Sequence, residues 1–392
     1  MKIAFIDHLP VGTGIIRLAT KLAKALVDVD KNVVLEYYTH SSNFNKNREL
    51  FECNSARFKV KILASTYPKS NFHYYSKKMS AVLGMPVMNR LKRELESIKG
   101  FDIVYFTSAH MSPFYAVQGV CFGTFHDFNW KYSFGMPNFS TANIRLFEKA
   151  MPAWFACTVP IASSDFIQQE IEKFYPAHKY PVEVIYLPNI GNEIGDGTKR
   201  NYDFPYILYP ANICAHKNHL NLYNGLYKLK IEGKLGGVKL ILTGAGTDHF
   251  KYASLCKEGI RESSVDDFDV LGLGYVNNDV MDSLIKHAVL NLSASIYEAG
   301  SVPAIDAWIK KVPFIMSDIL PHRNQLEFYK LDCVLFDPFD PSDIAKKMGY
   351  ALSNPEVLQQ MSLRGHEALK KYNWAEAAAN YLKVFSKYAK RN

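Results

Sequence analysis

Short β-rich apolar runs, spaced by helix-length segments, constrain this chain more than any other feature. In the second half, Tyr206–Tyr209, Val238–Thr243, Phe268–Leu271, Val289–Ser293, Pro313–Ser317 and Cys333–Phe336 read as strands. Helical patterns lie between most of them, and Asp343–Leu352 follows the last. The first half is less regular. Lys2–Ile6, Val33–Tyr38, Phe101–Phe106, Gly119–Phe125 and Ala156–Ala162 are apolar runs, and Ile15–Leu26 patterns as an amphipathic helix. Such alternation builds parallel sheets with helices on both faces, an α/β fold. At about 100–200 residues per domain, the 392 residues accommodate two such units. Leu187-Pro188-Asn189-Ile190-Gly191 marks the joint, giving domains 1–188 and 189–372 and a terminal helical segment 373–392 that can pack on either.

Hydrophobic residues make up 48% and charged residues 21%, which excludes a disordered, collagen-like or disulfide-scaffold chain. No run approaches the roughly 18 apolar residues of a membrane-spanning helix. The opening apolar stretch is short and broken by Asp7, so it reads as a first strand rather than a leader. The six cysteines are scattered without a CxxC pair, which points to a reducing, cytoplasmic setting and away from structural zinc. The net charge of +8 is concentrated: residues 41–100 carry twelve Lys/Arg against four acids. Tyr67, Phe72, Tyr74, Tyr75 and Met79 are interleaved with them. This is either a solvated face or a docking patch for an anionic membrane or acceptor. No recognition motif supports nucleic acid.

Ligands of open parallel sheets bind beyond the carboxyl ends of the strands, so the residues after each strand are the candidates. After the first strand, Gly12 and Gly14 open a helix; they form a plain turn or let backbone N–H groups approach a phosphate. Arg17 stands where a full GxGxxG would place its last glycine. His126-Asp127 follows Gly119–Phe125; it could be part of a hydrolase triad, but no GxSxG elbow accompanies it. Asn212 and Lys217 follow the strand at 206–209, and Lys217 is either solvated or a cation for a phosphate leaving group. Gly244-Ala245-Gly246 makes a tight turn near a nucleotide, and Gly274-Tyr275-Val276 can line a base pocket through its backbone. The most informative stretch is Glu298-Ala299-Gly300-Ser301-Val302-Pro303, followed by Asp306. Pro303 suits a helix start. Glu298 then lies in the loop and Asp306 one turn into the helix, with the N–H groups of Gly300, Ser301 and Val302 free for an anion. A helix-dipole pair of acids is the plainer alternative.

In this order, these motifs resemble the family 4 retaining glycosyltransferases of the GT-B fold. Glu298, seven residues, then Asp306 matches the family's paired acids. Asp318-Ile319-Leu320-Pro321, Leu335-Phe336-Asp337-Pro338 and the segment from Tyr209 to His219 fit its downstream and upstream patterns. The Tyr-Pro-Ala and Glu-Ala-Gly-Ser forms are similar to a bacterial surface-polysaccharide subgroup, often mannosyl- or rhamnosyltransferases. The resemblance is strong over 205–385. It implies two Rossmann-like domains facing across a cleft, with the last helix returning to the first. It implies a nucleotide-sugar donor on the second domain, a glycan or lipid-linked acceptor on the first, and no metal or other cofactor; the basic segment 41–100 would hold the cytoplasmic protein at the inner membrane face. Carried over, Lys217 holds the donor diphosphate, Glu298 meets the donor sugar, Asp306 takes ribose hydroxyls and His126 approaches the sugar. Gly12, Gly14, Asn212, Val276, Ala299, Gly300, Ser301 and Val302 line the donor.

Two departures stand out. The second acid is Asp306 rather than Glu, and position 211 is Ala where a phosphate-binding Arg is often found, so His216 or Arg323 would have to compensate. These departures keep a catalytically silent transferase-like binding subunit open, and an epimerase or phosphorylase of the same fold is a further alternative. Asp28-Val29-Asp30 and Asp267-Phe268-Asp269 match the Asp-x-Asp of metal-dependent transferases but read as solvated acids.

Overall fold

The computed structural model describes residues 1–9, 13–66, 90–109, 114–132, 141–186, 188, 200–249 and 270–389. These residues form two parallel sheets. The first contains β1 (Lys2–Asp7), β2 (Val34–Thr39), β3 (Phe58–Ile62), β4 (Ile103–Phe106), β5 (Val120–Phe125), β6 (Val159–Ala162) and β7 (Glu183–Val184), in the order β3-β2-β1-β4-β5-β6-β7. The second contains β8 (Tyr206–Pro210), β9 (Lys239–Thr243), β10 (Val270–Gly272), β11 (Leu290–Ser293), β12 (Phe314–Ser317) and β13 (Val334–Phe336), in the order β10-β9-β8-β11-β12-β13. Strand order reverses between β1 and β4 and again between β8 and β11. At such switch points the loops leaving the carboxyl ends diverge and open a crevice.

Six helices matter below: α1 (Thr13–Val29), α2 (Asp165–Phe174), α3 (His219–Ile231), α4 (Val302–Ile309), α5 (Leu320–Tyr329) and α6 (Trp374–Ala389). α1 buries Ile16, Ala19, Leu22, Ala23 and Leu26, the three- and four-residue spacing of one helical face. β1 is buried on both faces beyond Lys2, which is why it reads as a continuous apolar run. α6 crosses to the first sheet, where Tyr381, Phe385 and Tyr388 join the core of β1, β4 and β5. The Phe385 ring lies 4.7 Å from that of Phe122. Fully burying each such aromatic contributes about 1.5–3 kcal/mol.

Three elements differ from the sequence reading. β3 and the two-residue β7 add to the first sheet. The run Ala156–Ala162 is divided, because its first two residues end the helix Thr141–Cys157 and β6 starts at Val159. The two halves touch directly: Tyr186 stacks on Phe328 of α5 at 3.8 Å, and the Tyr372 hydroxyl donates to the Tyr186 carbonyl at 2.7 Å. Among the described residues no helix is long and apolar enough to cross a membrane.

Candidate active site

The loops after β8 and β11 are stitched together before any side chain reaches the crevice. Asn218 has a left-handed backbone, φ 58°, and lies between Lys217 and α3. Its buried amide donates to the carbonyls of Ala294 at 3.1 Å and Pro338 at 2.7 Å. The Ile296 N–H donates to the His216 carbonyl at 2.8 Å, and the Tyr209 hydroxyl to the Lys217 carbonyl at 2.6 Å. This framework brings Lys217 and Glu298, 81 positions apart in sequence, into a direct, hydrogen-bonded ion pair. Burial alone would push the Glu298 carboxyl up, but the Lys217 ammonium and a hydrogen bond from Ser295 carry it below the ordinary carboxylate value.

Two imidazoles and an aspartate lie around the pair, and a third imidazole stands beside the aspartate. His216 is pushed down by burial and by Lys217, and its Nδ1 is buried with no partner. His322 is fully buried, with Nδ1 2.8 Å from the Ser317 carbonyl. That bond makes Nε2 an acceptor, and Nε2 has no partner. Burial holds His322 neutral, and it feels both Glu298 and Lys217. From the first domain come His126, whose Nε2 lies 3.0 Å from the Thr107 carbonyl, and Asp127. Burial raises the Asp127 carboxyl, whose charged neighbours are His126, His216 and Glu298. Asp127 therefore faces the second-domain pair across the crevice.

The remaining candidates are distributed as follows. Gly12 lies outside the described residues. Gly14 falls inside α1, with nothing within 4 Å of where a Cβ would stand, so the fold itself does not demand glycine there. Asn212 spends its side-chain oxygen on the Ala245 N–H at 2.8 Å. It thereby shapes the Gly244–Gly246 turn, whose Gly244 has φ +119° and no room for a Cβ beside Asn212. The Val276 side chain packs into the second-domain core while Tyr275 is exposed. Ala299, Gly300, Ser301 and Val302 line a slot of ≈ 150 Å³ with His126 and Leu18 from the first domain.

The expectation that the N–H groups of 300–302 are all free needs correcting. The Ser301 N–H donates to Gln325 Oε1 at 2.5 Å, and the Gln325 amide returns a bond to the Ser301 carbonyl at 3.1 Å. Ser301 Oγ caps α4 by accepting from the Ala304 N–H at 3.2 Å. Asp306 is pushed up to about 6, by burial first, and its neighbours are Lys310, Asp282 and, from α1, Arg17 and Lys21. Arg323 does not stand in for the arginine missing at 211: it is exposed and paired with Asp318. His216 is in the site but burial holds it neutral, so it supplies no fixed charge. Asp28 lies in the last turn of α1 and Asp30 just beyond it, at the end of the helix away from the crevice, and Asp267 and Asp269 lie outside the described residues. Sequence reasoning gave no role to His322 or Gln325, because neither sits in a motif with an obvious charge.

The sequence model of the family described as Glycosyl transferases group 1 matches residues 192–368. No curated protein matches the chain in sequence. Solved structures match it in shape. Anabaena Alr3699/HepE in complex with UDP-glucose superposes with TM-score 0.69 at 14% identity over 99% of this chain and 100% of its own. A glycosyltransferase from Rickettsia africae gives 0.65 at 15% over 98% of each. Sucrose-phosphate synthase from Thermosynechococcus elongatus gives 0.65 at 15% over the whole of both. The chain therefore has the GT-B fold of two Rossmann-like domains, and its residues 192–368 match the sequence model of the group 1 glycosyl transferases.

Proposed function

We propose that the protein is a retaining glycosyltransferase that moves a hexose from a nucleotide sugar to a glycan or lipid-linked acceptor in surface polysaccharide synthesis. The observation that carries this reading is the Lys217–Glu298 pair at the β8/β11 switch point, facing Asp127, with His126 beside it, across the crevice. The bond from the sugar's anomeric carbon to the diphosphate oxygen breaks, and the electron pair leaves with the diphosphate. Lys217 stabilises that charge where it develops. The acceptor hydroxyl attacks from the same face, and its proton passes to the departing phosphate oxygen. A GDP-mannose-type donor is favoured by the sequence resemblance. The HepE complex makes UDP-glucose the first alternative to set beside it. A thermal-shift screen of UDP-, GDP-, ADP- and dTDP-sugars tests the donor, since a ligand that binds only the folded state raises apparent stability. Turnover must follow. Nucleotide binding without turnover would favour the silent binding subunit, which the departures at Ala211 and Asp306 already suggest.

The reaction as written uses no metal. The charge on the leaving group is met by a lysine. Transfer is expected to proceed at an unchanged rate in excess EDTA. Abolition by EDTA with recovery on adding Mg²⁺ or Mn²⁺ would refute this.

Membrane association through the basic segment is a second part of the proposal. Lys2, Lys59, Lys61 and Lys99 converge on an open groove of ≈ 640 Å³. None of the four forms an ion pair among the described residues, while Glu94 is taken up by the backbone at 64–65. Tyr67, Phe72, Tyr74, Tyr75 and Met79 lie outside the described residues. Binding to anionic vesicles should fall steeply with salt, because surface charges are screened over about 8 Å at physiological ionic strength. Equal sedimentation with neutral vesicles, or none with either, counts against it.

A further inference from the structure

Tyr297 immediately precedes Glu298 in the loop between β11 and α4, yet its ring is buried among first-domain side chains, 5% exposed. The rings of Tyr132 and Phe166 lie 5.0 and 5.7 Å from it. Its hydroxyl accepts the Phe128 N–H at 2.9 Å and points its own proton toward Glu170 Oε2 at 3.4 Å. Glu170 is itself buried on α2, and its other oxygen accepts from the Tyr132 hydroxyl at 2.5 Å. Phe128 directly follows His126-Asp127. One side chain thus links the backbone that carries Asp127 to the backbone that carries Glu298, with a single peptide step on either side of the Phe128–Tyr297 hydrogen bond.

This arrangement restricts how the crevice can open. If the second domain moved away with its loop rigid, the Tyr297 ring would leave an apolar seat, and the Phe128 N–H would lose its partner in a buried place, which is costly. We propose that Tyr297 is a positioning residue: seated in the first domain, it sets the distance at which Glu298 stands opposite His126 and Asp127. This rests on the transferase reading above. The nucleotide contacts proposed for Lys217 and Asp306 lie on the second domain, so the seat serves turnover more than nucleotide affinity.

Tyr297→Phe keeps the ring and removes the hydroxyl. It is expected to lower kcat about tenfold, the scale of one buried hydrogen bond, while calorimetric affinity for the nucleoside diphosphate stays within about twofold of wild type. Glu170→Gln, which leaves the ring seat and the Phe128 bond in place, is expected to fall between wild type and Tyr297→Phe. Small-angle scattering of ligand-free Tyr297→Ala should show a larger radius of gyration than wild type. Should Tyr297→Ala fail to fold, scattering of Tyr297→Phe takes its place. A wild-type kcat in Tyr297→Phe, or affinity that falls in parallel with kcat, overturns the proposal. If the wild-type protein turns over no nucleotide sugar, the transferase reading fails by itself. Scattering then decides the seat, and an unchanged radius of gyration overturns it.

Discussion

Lys217→Ala should lower kcat/KM by about 10²–10³-fold, the cost of losing one preorganised group aimed at developing negative charge. The structure adds a second defect to this variant. In the wild type, the Lys217 ammonium holds the Glu298 carboxyl down against burial. Without it, burial dominates and the carboxyl rises above its ordinary value. Any part of the loss that comes from a protonated Glu298 should return as pH is raised, and the part due to the missing cation should not. Stability should respond with opposite signs. In the wild type, Glu298 titrates below its unfolded value, so its contribution is present above that value and is lost as pH falls through the folded pKa. In Lys217→Ala the folded pKa lies above the unfolded one, so this group destabilises the variant as pH rises. Thermal unfolding and kcat/KM measured from about pH 4 to 9 read both effects. Full transfer activity in Lys217→Ala would place the site elsewhere.

Glu298→Gln and Asp306→Asn should fail in different ways. Glu298 is proposed to meet the donor sugar, so Glu298→Gln should lower kcat about 10²-fold. It also releases Lys217 from its partner, so affinity for the bare nucleoside diphosphate should hold or rise. Asp306 lies a turn into α4, among Lys310, Asp282 and the α1 cations, and its proposed contact is to ribose. Asp306→Asn should therefore weaken nucleoside diphosphate binding about tenfold, the scale of a charged hydrogen bond, and spare turnover at saturating donor. Calorimetric titration of both variants separates the roles. Lost affinity in Glu298→Gln with retained affinity in Asp306→Asn would invert the assignment.

What the sequence revealed and what it concealed have physical causes. The buried strands were legible because parallel strands covered on both faces must be continuously apolar. β3 was not, because its alternate positions Lys59 and Lys61 face outward and register as charge rather than as a period of two. β7 is two residues long and exists only by pairing with β6. The motifs placed Lys217 and Glu298 at the ends of neighbouring strands, but their ion pair depends on the Asn218 clamp and the backbone bond from Ile296. The Ser301 N–H looked free because its partner, Gln325, lies in an unremarked turn of α5. Tyr297 was invisible as a contact because its partners lie some 130 to 170 positions earlier, at a distance no local pattern reports.

The return of α6 to the first sheet bears on how the chain is made. Tyr381, Phe385 and Tyr388 complete a core whose other members begin at Ile3. During synthesis, the second sheet has all its strands once Phe336 has emerged. The first sheet, begun earliest, waits for the final helix. Its apolar underside stays open for the longest interval, which is where nascent chains aggregate or recruit chaperones. A ribosome that stalls after Lys370 leaves a chain with all the strands of the second sheet and an unfinished core on the first. Such a product would expose that core, so one helix makes the first sheet depend on residues translated after the whole second sheet.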